Sequence, residues 1–347
     1  MDILLVGTYT QHDAPAVLEK QELGEGIYLI PYNETLGGVT GAPLIIRMQN
    51  PSWVCLVKNR LFAVSESENV AEIVEYEVGV QEERLTAEQK AGLQMPGKAS
   101  CHIEKDEKGQ RLFVSDYGSG DLKVIGISEA GSPKLLQEIS FTGKGLDPER
   151  QEASHIHSCF LHEGDLYAAD LGCDKIYSFG TDKGKLLQKE TIEVRPGAGP
   201  RHMEILEKNG KTYLYVLNEL DITISVYCNG DLCQTISLEE NLPEGALAAE
   251  LCIAEGKMLY ASVRGTGEIF GFTIEENGML SLKQKVVVPE GWFRSICLDS
   301  SEKHLLAADQ KTGKIYIFDR QSEGELRNQR VLVEVPVPVQ VLPGKIE

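Results

Sequence analysis

Seven copies of one short apolar run punctuate this chain of 347 residues, and repetition of that kind has to be explained before any other pattern. The copies are Ile3–Thr8, Leu61–Glu66, Leu112–Tyr117, Leu166–Leu171, Leu214–Glu219, Leu259–Arg264 and Leu305–Gln310, and their starts differ by 58, 51, 54, 48, 45 and 46 residues. A second β-like segment with an aromatic near its middle follows each run, as in Lys175–Phe179 and Lys314–Phe318. A glycine turn and a leucine then open a third segment, at Gly184, Gly278 and Gly324. A fourth segment precedes the next copy: Pro51–Val54, Ser100–Ile103, Ser154–His157, Pro200–Met203 and Phe293–Ile296. Four short strands per ~50 residues, repeated seven times with no long helical periodicity, predict an all-β, seven-bladed β-propeller of four-stranded antiparallel blades. We read residues 1–347 as a single propeller domain. The glycine-histidine and tryptophan-aspartate signatures of WD repeats are missing.

The first copy lacks a fourth-type segment before it, and the last is followed by the spare run Val335–Val341. The C-terminal strand is therefore expected to join the N-terminal blade as its innermost strand, closing the ring and removing exposed sheet edges. Pro336 and Pro338 are tolerable on a strand that faces the central channel on one side.

Charge narrows the function. There are 34 Lys and Arg against 53 Asp and Glu, a formal charge of −19, which argues against a nucleic-acid partner. No stretch approaches the ~20 apolar residues of a membrane-spanning helix, so no membrane partner is expected. Met1–Tyr9 carries an acid at Asp2 where a secretory leader would be basic, so a cytoplasmic location is expected. The eight cysteines form no C-x-x-C pair and read as reduced thiols. A monomer or weak homo-oligomer is expected.

In a propeller, the start of an inner strand lies beside the end of its antiparallel neighbour. His102, His155, His157, Arg201, His202 and Arg294 stand at or near starts; Glu66, Asp116, Asp170, Glu219, Arg264 and Asp309 stand at ends. One channel mouth thus gathers groups from distant parts of the chain. A histidine, or a glutamate raised by burial such as Glu219, can activate water or return a proton, and the arginine fork suits carboxylate, phosphate or a developing oxyanion.

The runs Gly7–Tyr9, Asn50–Trp53, Asp116–Gly120, Glu149–Glu152 with His155–Ser158, Asp170–Asp174, Pro196–His202, Asn218–Leu220 and Phe293–Arg294 resemble, in order, those of the seven-bladed β-propeller lactonases. That family includes the propeller-type 6-phosphogluconolactonases and is similar to the fungal carboxy-cis,cis-muconate cyclase. Ser262–Arg264 departs from the usual Ser-Asn-Arg but keeps the arginine. The resemblance implies a carboxylic-ester hydrolase of carbohydrate metabolism, opening 6-phospho-D-glucono-1,5-lactone in the pentose phosphate pathway. It further implies an anionic sugar lactone as the small-molecule partner, no cofactor and no metal. Its catalytic set is His155, with His157 as alternative, Arg201, Glu219 and Arg264; His157, His202, Arg294, Glu66 and His102 would bind substrate.

Plainer readings stand beside these. Arg201 and Glu219 could form an inter-blade salt bridge. His155 and His157, two apart on a strand, would point the same way, as half of a metal site without a third ligand. Asp116, Asp170, Asp174 and Asp309 read as turn caps. His12, His162 and His304 read as solvated turn residues, and Glu82–Glu83 and Glu239–Glu240 as solvated loops. Residues 143–150 form an insertion that could shape one side of the pocket. No Gly-x-Ser-x-Gly elbow and no dinucleotide loop occur. A cycloisomerase, a lactonase for an unphosphorylated lactone, and a non-catalytic interaction platform remain alternatives.

Overall fold

Each of the seven runs forms the second strand of its own sheet: Asp2–Thr8, Arg60–Ser65, Arg111–Asp116, Asp165–Asp170, Lys211–Asn218, Met258–Arg264 and His304–Asp309. The computed structural model describes residues 1–106, 108, 110–128, 131–182, 185–238 and 245–347. Gly184 and Glu239–Glu240 lie outside the described residues. Among those described, every regular element is a strand, and the strands make seven antiparallel sheets.

The blades are numbered here from the N-terminus. Blade 4 shows the common pattern, with Ile156–His162, Asp165–Asp170, Lys175–Asp182 and Lys185–Glu193 paired in chain order from the channel outward. Inner strands of blades 2, 3, 5, 6 and 7 are Pro51–Val57, Ser100–Lys105, Pro200–Lys208, Leu247–Ala254 and Phe293–Leu298. Leu247–Ala254 has no counterpart among the fourth-type segments read from the sequence, because Ala248 and Ala249 stand where other copies carry His, Arg or Trp.

Blade 1 closes the ring. Its inner strand is Pro338–Lys345, antiparallel to Asp2–Thr8 with Leu4 opposite Pro343 and Thr8 opposite Pro338. This strand begins three residues later than Val335–Val341, the run expected to supply it. Pro336 lies before it, and Val337 adopts a φ of 44°, so the chain turns there and only then extends.

Apolar side chains fill each of the seven junctions between blades. Tyr215, Leu217 and Ile224 of blade 5 pack against Leu259, Phe270 and Phe272 of blade 6, for instance. Packing between sheets, with alternate side chains facing each neighbour, makes the ring rigid and leaves its axis to polar groups.

Candidate active site at the channel mouth

All seven inner strands share one irregularity, directly after the first residue in six of them and after the second in blade 6. In blade 4 Ile156 pairs with Asp170 and Ser158 with Ala169, so His157 is the extra residue of a β-bulge. The same arithmetic makes Ser52, Cys101, Arg201, Arg294 and Val339 extra residues, and in blade 6 Ala249 and Glu250 together face Ser262. A bulge breaks the strict alternation of side chains and re-aims the extra one. Three of the bulged residues are His157, Arg201 and Arg294, so the local backbone, repeated round the ring, turns these groups into the channel.

Above them opens a cavity of about 380 Å³, walled by Tyr117, Arg150, His157, Glu219, Arg264 and Arg294. Ala14 and Pro15, from the long connection after the first strand, line it together with Trp292 and Glu66. Gln310 Nε2 holds that connection by donating to the Pro15 carbonyl at 2.9 Å. Tyr9 donates its hydroxyl to Glu66 Oε2 at 2.7 Å, and Arg294 lies over the Tyr9 ring, its guanidinium 3.6 Å from Glu66.

Glu219 is the electrostatic centre. Its Oε1 lies 2.5 Å from Arg150, and its Oε2 is 2.9 Å from Arg201 and 2.8 Å from Arg264. Arg201 and Glu219 belong to one blade, so this is not the inter-blade bridge weighed from the sequence; Arg264 crosses from blade 6 and Arg150 descends from the insertion. The backbone of blade 6 steadies the arginines: Arg201 donates to the Ala249 carbonyl and Arg264 to that of Ala248 at 3.0 Å. Burial alone would raise the Glu219 carboxyl, but Arg264, Arg150 and Arg201 hold it well below the usual carboxylate range. A group so firmly ionised is a poor proton carrier near neutral pH, which corrects the general acid-base role that the sequence suggested for it.

The histidines separate into three places. His157 lines the cavity; burial first, then Arg201, His202, Arg294 and Arg264, push its pKa well below that of a free imidazole. His155 is not among the lining residues. Its ring stacks flat on Tyr117 at 4.3 Å, with Nδ1 2.8 Å from the Tyr117 carbonyl and Nε2 3.2 Å from Glu152. The two do not project alike as strand alternation predicted, because the bulge intervenes. His202 lies one layer down, its Nδ1 2.6 Å from Glu250 Oε1. His102 faces the opposite end of the channel, its ring tilted by 39° against Trp53 at 4.4 Å in a second cavity of about 480 Å³.

Structure thus brings Arg201, Glu219, Arg264, Arg294, Glu66 and His157 to one site and sets His155 and His102 apart. Arg150 is the residue that sequence reasoning passed over, although the run Glu149–Glu152 that contains it was among the most specific. The recurring aspartates hold turns. Asp170 accepts from Ser154 Oγ and the His155 and Cys173 amides, Asp174 from the Gly197 and Gly199 amides, and Asp309 from the Trp292 and Thr312 amides. Asp116 is different, accepting from Ser100 Oγ and pairing with the fully buried Lys123. His304, expected in a solvated turn, is buried against Asp299 at 2.7 Å. His12 is exposed and His162 meets Glu207 at 3.2 Å. The eight thiols are free, with Cys101 in the cavity wall and Cys233 exposed. No helix among the described residues is long and apolar enough to cross a membrane.

A family model described as lactonase, 7-bladed beta-propeller, matches residues 3–343. A protein of Bacillus subtilis named 6-phosphogluconolactonase is 28% identical over 96% of both chains. One of the same name from Formosa agariphila is 33% identical over 86% of this chain and 90% of its own. Among solved structures, a protein from Lactobacillus plantarum superposes with a TM-score of 0.87 at 26% identity, covering 99% of this chain and 100% of its own. The periplasmic gluconolactonase PpgL of Pseudomonas aeruginosa shares the fold, with a TM-score of 0.84 at 24% identity over 100% and 99% of the two chains.

Proposed function

This chain belongs to the seven-bladed β-propeller lactonases, and from that premise we propose that it hydrolyses a sugar lactone, 6-phospho-D-glucono-1,5-lactone, to 6-phosphogluconate. The observation that carries the reading is the cluster of Arg150, Arg201 and Arg264 around Glu219, with Arg294 and the neutral His157 on the same cavity wall. On a protein of net charge −19, such a pocket is what an anionic substrate requires. The names of the Bacillus and Formosa relatives favour the same substrate.

Hydrolysis needs water added at the lactone carbonyl, an oxyanion stabilised there, and a proton for the departing ring oxygen. Arg264 suits the oxyanion: Glu219 and the Ala248 carbonyl fix its orientation, while its Nε is buried without a partner. Arg294, tied among the described residues only to Glu66 across 3.6 Å and resting on Tyr9, suits the phosphate. His157 is the proton-handling group, and Glu219 serves as the counter-ion that packs three guanidiniums close together without mutual repulsion.

The direct test is hydrolysis of freshly generated 6-phosphogluconolactone, followed against its spontaneous opening. Wild type should exceed the buffer rate and Arg201→Ala should fall far below wild type. Equal rates for the two, or a wild type no faster than buffer, overturn the proposal.

A further inference from the structure

Below His157 the channel holds a line of polar groups that the scheme above leaves unused. The rings of His157 and His202 meet edge-on, 5.2 Å between centroids. His157 Nδ1 and His202 Nε2 are both buried and both lack a hydrogen-bond partner among the described residues. A buried nitrogen left unpaired is costly, so two in adjacent rings argue for a link, direct or through one ordered water. His202 Nδ1 is held 2.6 Å from Glu250 Oε1, which also accepts from the Leu251 amide at 3.2 Å. His157 Nε2 is then the nitrogen that meets the cavity.

Resting on the lactonase reading, we infer that His202 and Glu250 are positioning residues that carry the proton load of His157 through a tautomer relay. When water attacks, its proton goes to His157 Nε2 and the Nδ1 proton of His157 passes to His202 Nε2. The Nδ1 proton of His202 passes in turn to the Glu250 carboxylate, and hydroxide adds to the lactone carbonyl. When the ring C–O bond breaks, the same three shifts run backwards and protonate the alkoxide. The protein ends unchanged, and the carboxylic acid product releases its proton to solvent.

The physical reason for such a relay is the charge around it. An imidazolium at His157 would face Arg201, Arg294 and Arg264, and one at His202 would face the same three, opposed by Glu219 and the adjoining Glu250, with the His102 ring 5.5 Å away. The relay keeps both rings neutral and delivers the proton to a carboxylate, which it neutralises. Glu250 is matched to the task, since burial pushes its carboxyl to about 8 against the opposing pull of Arg201, the Leu251 amide and Arg294. Glu204 of blade 5, Cys252 of its own strand and Cys297 of blade 7 are the other titratable groups facing it. Its proton is therefore exchangeable near neutral pH, as a proton store needs.

Glu250→Gln keeps the shape but cannot take up a proton. With buffer hydrolysis subtracted, wild-type kcat should rise with pH through an inflection near 8; the variant should lose that inflection and about 10²-fold in kcat, with KM within twofold. A merely structural role would lower the rate evenly at all pH and keep the inflection. Ring ¹⁵N shifts of the ligand-free protein, assigned with His157→Gln and His202→Gln, give an independent readout. Both rings should exchange tautomers between pH 6.5 and 9 in wild type and neither in Glu250→Gln. An inflection that survives in Glu250→Gln, or tautomers that ignore its charge, overturns the relay. A wild type without lactonase activity would instead strike the functional reading, and the tautomer measurement would still decide this one.

Discussion

His157 and Arg201 occupy the same position in neighbouring blades: each is the extra residue in the bulge that follows the first residue of its inner strand. One backbone device thus presents an imidazole in blade 4 and a guanidinium in blade 5, and the repeat supplies the placement while the sequence chooses the chemistry.

The first prediction concerns the three channel histidines. Burial is the leading cause that lowers the pKa values of His102, His157 and His202 well below the free value. Below about pH 6.5 the unfolded chain binds protons that the folded ring refuses, so stability falls as the pH drops through that range. Urea midpoints should decline between pH 7.5 and 5.5 in wild type and decline less in His102→Gln. Equal slopes for the two would remove this account.

Glu219 predicts a loss of the opposite origin. Its depressed carboxyl contributes stability that is present above about pH 4.5 and is lost as the pH falls toward the lower folded value. Glu219→Gln leaves the buried guanidiniums of Arg201 and Arg264 without their counter-ion and should cost about 3–5 kcal/mol at pH 7. Acid should narrow the gap between the two proteins. A variant as stable as wild type at pH 7 would show that the arginines are compensated elsewhere.

The ring, its closure and the meeting of Arg201, Glu219 and Arg264 were legible because all three follow from the phase of a repeat. The inner strand Leu247–Ala254 was not, since Ala248 and Ala249 remove the side-chain signal while backbone pairing survives. Nor was Arg150, which lies in an insertion with no repeat phase and reaches Glu219 across 69 residues of sequence. His155 and His157 looked alike as cavity groups because strand alternation hides the bulge that parts them. Glu219 looked like an acid-base group because proton affinity depends on neighbours that a linear spacing does not reveal.

Arg150 separates function from fold. Its side chain is 35% exposed, and Glu219 keeps two further arginines when it is removed. Arg150→Ala should therefore leave stability within about 1 kcal/mol of wild type. Its loss from the cavity wall should lower kcat/KM for the phosphorylated lactone by ~10²-fold. Unchanged kinetics would move Arg150 out of the substrate's reach and leave it a structural partner of Glu219.

Closure of the ring gives the last prediction. Pro338–Lys345 pairs along the whole of Asp2–Thr8, and Ile346 is fully buried against blades 1 and 2. A chain ending at Val337 would expose the Asp2–Thr8 edge to the channel and strip the inner layer from blade 1. Open edges of apolar strands recruit other chains. The loss also exceeds what a total stability of about 5–15 kcal/mol can absorb. The truncated protein should aggregate or unfold without a cooperative transition, and adding the peptide 338–347 in trans should restore part of the folded signal. A truncated monomer that melts cooperatively at the wild-type temperature would mean that the six remaining complete blades hold the ring without it.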